Sequence, residues 1–133
     1  MPARILVIED DPNTMELMTY LLSAFGHTVL RADNGLDGVA LAAAERPDLI
    51  ACDVQLPRLD GYGVARRLSD NPELAAIPLV AVTAFSMVGD RETILGAGFD
   101  DYISKPIVPE TFVEQLDRFL PPALRVGRGA ARD

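Results

Sequence analysis

Hydrophobic residues fall along this chain in five short runs: Arg4–Ile8, Thr28–Ala32, Asp48–Cys52, Leu79–Val82 and Tyr102–Ile103. Four of them are rich in Val, Ile and Leu without polar alternation, the pattern of strands buried on both faces of a parallel sheet. The fifth is short and is recognised mainly by its position. Between the runs the apolar period becomes helical. Met15, Met18, Leu22 and Phe25 recur at three and four residues, as one face of a helix does. Asp11 and Pro12 ahead of them read as an N-cap and an N1 proline, and Gly26 reads as the stop. An alanine-rich second helix is expected over Leu36–Glu45, a third from about Tyr62, a fourth across Met87–Leu95 and a fifth over Glu110–Leu120. Strand and helix alternating five times predict right-handed crossovers and an α/β, doubly wound parallel sheet.

No linker interrupts the pattern, so residues 1–120 read as one domain. Pro121-Pro122 closes the last helix, and 121–133 reads as a flexible C-terminal tail. At 133 residues and 49% hydrophobic, the chain has the length and apolar content of one packed domain. Its single cysteine, Cys52, excludes a disulfide framework or a cysteine-based zinc site and fits a reducing cytoplasm. No apolar run is long enough for a membrane span, and Ile5–Ile8 meets Glu9 too soon for a signal peptide. The net charge of −8 argues against direct nucleic-acid binding. Charge is unevenly spread: residues 121–133 carry a net +2 and the rest −10. Lys105 is the only lysine among twelve basic residues.

In doubly wound sheets, ligands bind beyond the carboxyl ends of the strands. Glu9, Asp10 and Asp11 follow the first strand, Asp53 the third, Thr83 the fourth, and Ser104 and Lys105 the fifth. Three aspartates, a hydroxyl and an ammonium thus converge on one edge. Oxygen ligands without histidine or thiol select Mg²⁺ or Mn²⁺ over zinc. The cation would offset carboxylates that otherwise repel a phosphoryl group, and Lys105 and Thr83 could bond its oxygens. Each residue also has an ordinary reading: Asp11 as a helix cap, Asp53 as a loop residue, Thr83 as a strand end. A lone lysine where arginine is otherwise used suggests that a compact point charge is needed.

Val7-Ile8-Glu9-Asp10-Asp11, Pro47 through Asp53, Leu56-Pro57-Arg58-Leu59-Asp60-Gly61, Pro78 through Ala84 and Tyr102-Ile103-Ser104-Lys105-Pro106 together resemble the receiver domain of two-component response regulators. The segments around Thr83 and Lys105 look most like the stand-alone single-domain regulators of the cell-division type, with a receiver excised from a hybrid histidine kinase or longer regulator as the alternative. The resemblance implies a flavodoxin-like (βα)5 sheet of order 2-1-3-4-5. It implies Asp53 as phosphoacceptor, with Mg²⁺ held by Asp10, Asp11, the Asp53 carboxylate and the backbone carbonyl of Gln55. Thr83 and Lys105 would bind phosphoryl oxygens, Tyr102 would turn inward as a switch, and Lys105-Pro106 would be cis. It implies a bacterial cytoplasmic protein that catalyses only its own phosphorylation and slow dephosphorylation. The donor would be a histidine kinase or phosphotransfer protein, and the output binding to a downstream target protein, with phosphorylation-dependent homodimerisation left open.

Two rivals fit less well. A phosphohydrolase of the haloacid-dehalogenase type wants a carboxylate two residues after the nucleophile, where Gln55 stands. A flavodoxin wants a hydroxyl- and glycine-rich phosphate loop where Glu9-Asp10-Asp11 stands. Gly61 is expected to serve a turn, and His27 to be a loop residue. Phe85, Met87 and Val88 read either as a partner patch or as core and capping contacts.

Overall fold

A computed structural model describes residues 3–84 and 89–125. The expectations for Phe85, Met87 and Val88, and for the tail beyond Arg125, lie outside the described residues. The strands are β1 (Arg4–Ile8), β2 (Thr28–Ala32), β3 (Leu49–Cys52), β4 (Leu79–Thr83) and β5 (Asp101–Ser104). The helices are α1 (Pro12–Ala24), α2 (Gly35–Glu45), α3 (Gly61–Ser69), α4 (Asp90–Gly96) and α5 (Pro109–Asp117). All pairings are parallel and the order is β2-β1-β3-β4-β5, as expected.

The central strands bury both faces. Ile5 and Val7 join Met15, Met18, Leu22, Phe112 and Leu116 in one core, beneath α1 and α5. Leu6 and Ile8 point the other way, into a core with Val64, Leu68 and Ile94 beneath α2, α3 and α4. Neighbouring residues of one strand therefore feed opposite layers, which is why the runs carry no polar alternation.

The local signals of α1 hold. Asp11 caps it, Pro12 opens it, and Gly26, at φ 92°, ends it. The Gly26 and His27 amides donate to Ser23 and Leu22 carbonyls, the two bonds of a Schellman stop. Lys105-Pro106 is cis. Residues Pro122–Leu124 form a short 3₁₀ turn, and the Arg125 guanidinium returns to the Leu120 and Arg118 carbonyls.

His27 is a loop residue, but not a solvated one. It is buried, accepts the Ala3 amide at Nδ1 (2.9 Å), and sits 3.1 Å through Nε2 from Asp117 Oδ1. It thereby ties the start of β1 to the end of α5. No helix among the described residues is long and apolar enough to cross a membrane.

Candidate functional site

The site is built where β1 and β3 part. Beyond the last ladder pair, Ile8 with Cys52, the Asp53 amide still donates to the Ile8 carbonyl at 3.0 Å. On the other side the Glu9 amide donates to the Ala32 carbonyl of β2, also at 3.0 Å. These bonds fix Glu9 and Asp53 as neighbours at the topological switch point. Both are buried.

Lys105 arrives from the far side. Its amide donates to the Thr83 carbonyl at 2.9 Å, extending the β4–β5 pairing past the strand end. Its Nζ stands 2.8 Å from Asp53 Oδ2 and 2.8 Å from Glu9 Oε1. The other Asp53 oxygen accepts the Gln55 amide at 3.1 Å. Burial alone would lower the Lys105 pKa, but the hydrogen bonds to Asp53 and Glu9 outweigh it and hold the ammonium above its usual value. Burial raises the Glu9 pKa; the Lys105 hydrogen bond and the Asp11 amide pull against it.

The acidic cluster is not composed as expected. The carboxylates that converge are Glu9, Asp10 and Asp53, each offering an oxygen within 4.8 Å of the others. Asp11 faces elsewhere: its Oδ2 accepts the Thr14 amide at 2.9 Å and the Thr14 hydroxyl at 2.6 Å, capping α1. Those bonds hold its pKa below the usual value. The physical reason is register. β1 ends at Ile8, so Glu9 and Asp10 occupy the crossing, and by Asp11 the chain has turned into the helix. The two readings of Asp11, cap and ligand, competed, and in the structure the cap has its side chain.

A hard cation fits this donor set. The donors are all oxygens, and Glu9, Asp10 and Asp53 gather within 4.8 Å of one another around a single ammonium, Lys105, which bonds only two of them. Three clustered carboxylates against one ammonium leave negative charge that a divalent ion would offset. Gln55 borders the cleft that Asp10, Asp60 and Tyr62 also line. Thr83 is buried at the end of β4, level with Ser104. Tyr102 is half-buried on β5 and packs against the α2–α3–α4 core.

Gly61 has a role other than a turn. A Cβ there would lie 2.4 Å from the Asp53 carbonyl oxygen and 2.7 Å from Val54 Cα, while its amide donates to the Val54 carbonyl at 2.8 Å. The first turn of α3 therefore lies against the backbone that carries Asp53.

Residues 5–117 match the model of the family described as response regulator receiver domain. The chain is 43% identical over 120 residues to the polar-differentiation response regulator DivK of Brucella anthropi, covering 90% of this chain and 98% of that one. The corresponding protein of Brucella abortus is 41% identical over the same length. Among solved structures, the receiver domain of the sensor histidine kinase PA1611 from Pseudomonas aeruginosa, determined with magnesium coordinated in its active-site cleft, is 33% identical with a TM-score of 0.82, covering 90% of this chain and 98% of that one. The Vibrio cholerae chemotaxis regulator CheY4, 23% identical with a TM-score of 0.85 over 90% of this chain and all of that one, shares the fold.

Proposed function

The chain belongs to the response regulator receiver family, and from that premise we propose that Asp53 accepts a phosphoryl group from a phosphohistidine of a partner protein. The observation that carries this is the triangle of Asp53, Glu9 and Lys105: a buried carboxylate at the switch point, bonded by an ammonium that can follow a new charge. Glu9, Asp10 and Asp53 would hold Mg²⁺ or Mn²⁺, with Gln55 supplying its carbonyl. When bound, the cation neutralises carboxylate charge that would otherwise repel the phosphate dianion.

The chain's own residues do the rest. An Asp53 carboxylate oxygen attacks phosphorus; the P–N bond breaks, and its electron pair passes to the donor imidazole, which takes up a proton from solvent. The Gln55 amide, 3.1 Å from Oδ1, steadies the nucleophile. Lys105 exchanges its bond to Oδ2 for one to a phosphoryl oxygen, and the Thr83 hydroxyl takes another. Tyr102, packed beside this edge, moves with Thr83 to report the change. The donor is a histidine kinase or phosphotransfer protein, and a downstream protein reads the result. The protein would act in the cytoplasm and catalyse only its own phosphorylation and slow dephosphorylation.

Incubation with acetyl phosphate followed by intact-mass and peptide analysis tests this reading. Mg²⁺-dependent labelling at Asp53 is expected, lost in Asp53→Asn and in EDTA. Labelling that survives in Asp53→Asn overturns it.

A further inference from the structure

A second cleft opens beside the site, between α1 and α2 over the edge strand β2. It measures about 730 Å³, within the range of pockets that bury a ligand. Its apolar lining is Met15 from α1 with Ala40, Leu41 and Ala44 from α2; buried Glu9 lies at its floor, and its exposed mouth carries Asp10, Asp33 and Asp37. Arg31, the one cation on the wall among the described residues, is already paired with Glu16 at 2.6 Å.

Two observations indicate what belongs there. First, α2 is apolar on two sides. Gly35, Gly38 and Ala42 face the core, and Gly38 lies so close to Ile8 that a Cβ would come within 2.4 Å of Cδ1. The stripe Ala40, Leu41, Ala44, at helical spacing below Asp37, faces the cleft instead, with both alanines exposed. A second apolar stripe on a helix whose other face already fills the core is open to a covering chain. Second, the uncovered stripe runs up to a rim of carboxylates, so the complement is an apolar body ending in a cation.

We propose that this cleft docks a short basic–apolar segment of a partner protein, its aliphatic side chains on Leu41 and Met15 and its arginine or lysine at the rim. Asp10 ties docking to the site, for it lines this cleft and also the one beside Gln55 and Tyr62. A basic side chain on Asp10 competes with the site's divalent cation, and by linkage the cation weakens docking equally. The coupling rests on the metal reading above; the docking itself does not.

A hexapeptide of alternating leucine and arginine serves as the probe, followed by ¹H–¹⁵N NMR on the full chain, with a citrulline-for-arginine peptide as control. The expected shifts map to Met15, Leu41, Ala44 and Asp37. They should weaken several-fold as salt shortens the Debye length from about 10 Å toward about 3 Å, and likewise on adding Mg²⁺. Ala40→Arg, at an exposed helix position outside the phosphorylation site, should fill the cleft and cut affinity about tenfold while acetyl phosphate still labels Asp53. Shifts elsewhere on the surface, equal binding of the citrulline peptide, or undiminished binding by Ala40→Arg would each overturn the docking site. Peptide seated in the cleft of a chain that acetyl phosphate cannot label would leave docking standing and overturn the phosphoacceptor assignment instead.

Discussion

Lys105 Nζ and Asp53 Oδ2 lie 2.8 Å apart across the carboxyl edge of the sheet, joining the ends of β5 and β3. The same ammonium reaches Glu9, so one cation separates two buried carboxylates. Lys105→Met removes that cation. The two acids then face each other without compensation, and stability should fall by about 1–3 kcal/mol at neutral pH, as for other buried polar groups deprived of a partner. Urea melts with and without Mg²⁺ test this: the divalent ion should restore more stability to Lys105→Met than it adds to the parent.

Glu9, not Asp11, converges with Asp10 and Asp53, while Asp11 caps α1, and the consequence of this placement can be measured. Glu9→Gln should weaken Mg²⁺ binding tenfold or more. Asp11→Ala should leave it within about twofold but lower the melting temperature through the lost cap. Calorimetric Mg²⁺ titration and thermal melts of both variants separate the two effects; equal losses of Mg²⁺ affinity would return Asp11 to the ligand set.

The cap also sets a pH dependence. Hydrogen bonds from the Thr14 hydroxyl and amide hold the Asp11 pKa below its usual 3.8. A depressed folded-state pKa means that this contribution is present above the unfolded value and is lost as pH falls through the folded one. The Thr14 amide resonance should therefore titrate with a midpoint below 3.8, and in Asp11→Asn that movement should vanish.

Gly61→Ala sets a Cβ against the Asp53 carbonyl and Val54 Cα, backbone atoms that cannot swing aside. Overpacking of this kind costs about 1–3 kcal/mol. Because the displaced backbone carries Asp53, labelling by acetyl phosphate should slow as well, whereas Gly96→Ala, where a Cβ meets open space, should leave labelling unchanged.

His27→Leu should cost about 1–3 kcal/mol by stranding the Ala3 amide and removing the tie to Asp117. Asp53 labelling in the folded variant should match the parent, since this tie lies between the start of β1 and the end of α5. Urea melts and labelling rates check the two halves separately.

What the sequence determined by itself is what short-range physics controls. Unbroken apolar runs marked the strands, helical spacing marked α1, and Asp11-Pro12 and Gly26 marked its ends, because caps and periods are read within a few neighbouring residues. Asp53 and Lys105 were legible from their places after strands, since the edge at which a parallel sheet gathers its ligands follows from topology. The choice between Glu9 and Asp11 was not. It depends on where β1 stops pairing with β2 and β3, a relation between residues more than twenty positions apart, and on Asp11 already being engaged by Thr14. His27 likewise reads as a polar loop residue until Asp117, ninety positions away, comes within 3.1 Å. Gly61 reads as a turn until the fold brings Asp53 against it. Burial and long-range partners exist only after the layers have packed, and it is they that decide which acid faces the site, which caps a helix and which histidine becomes a tie.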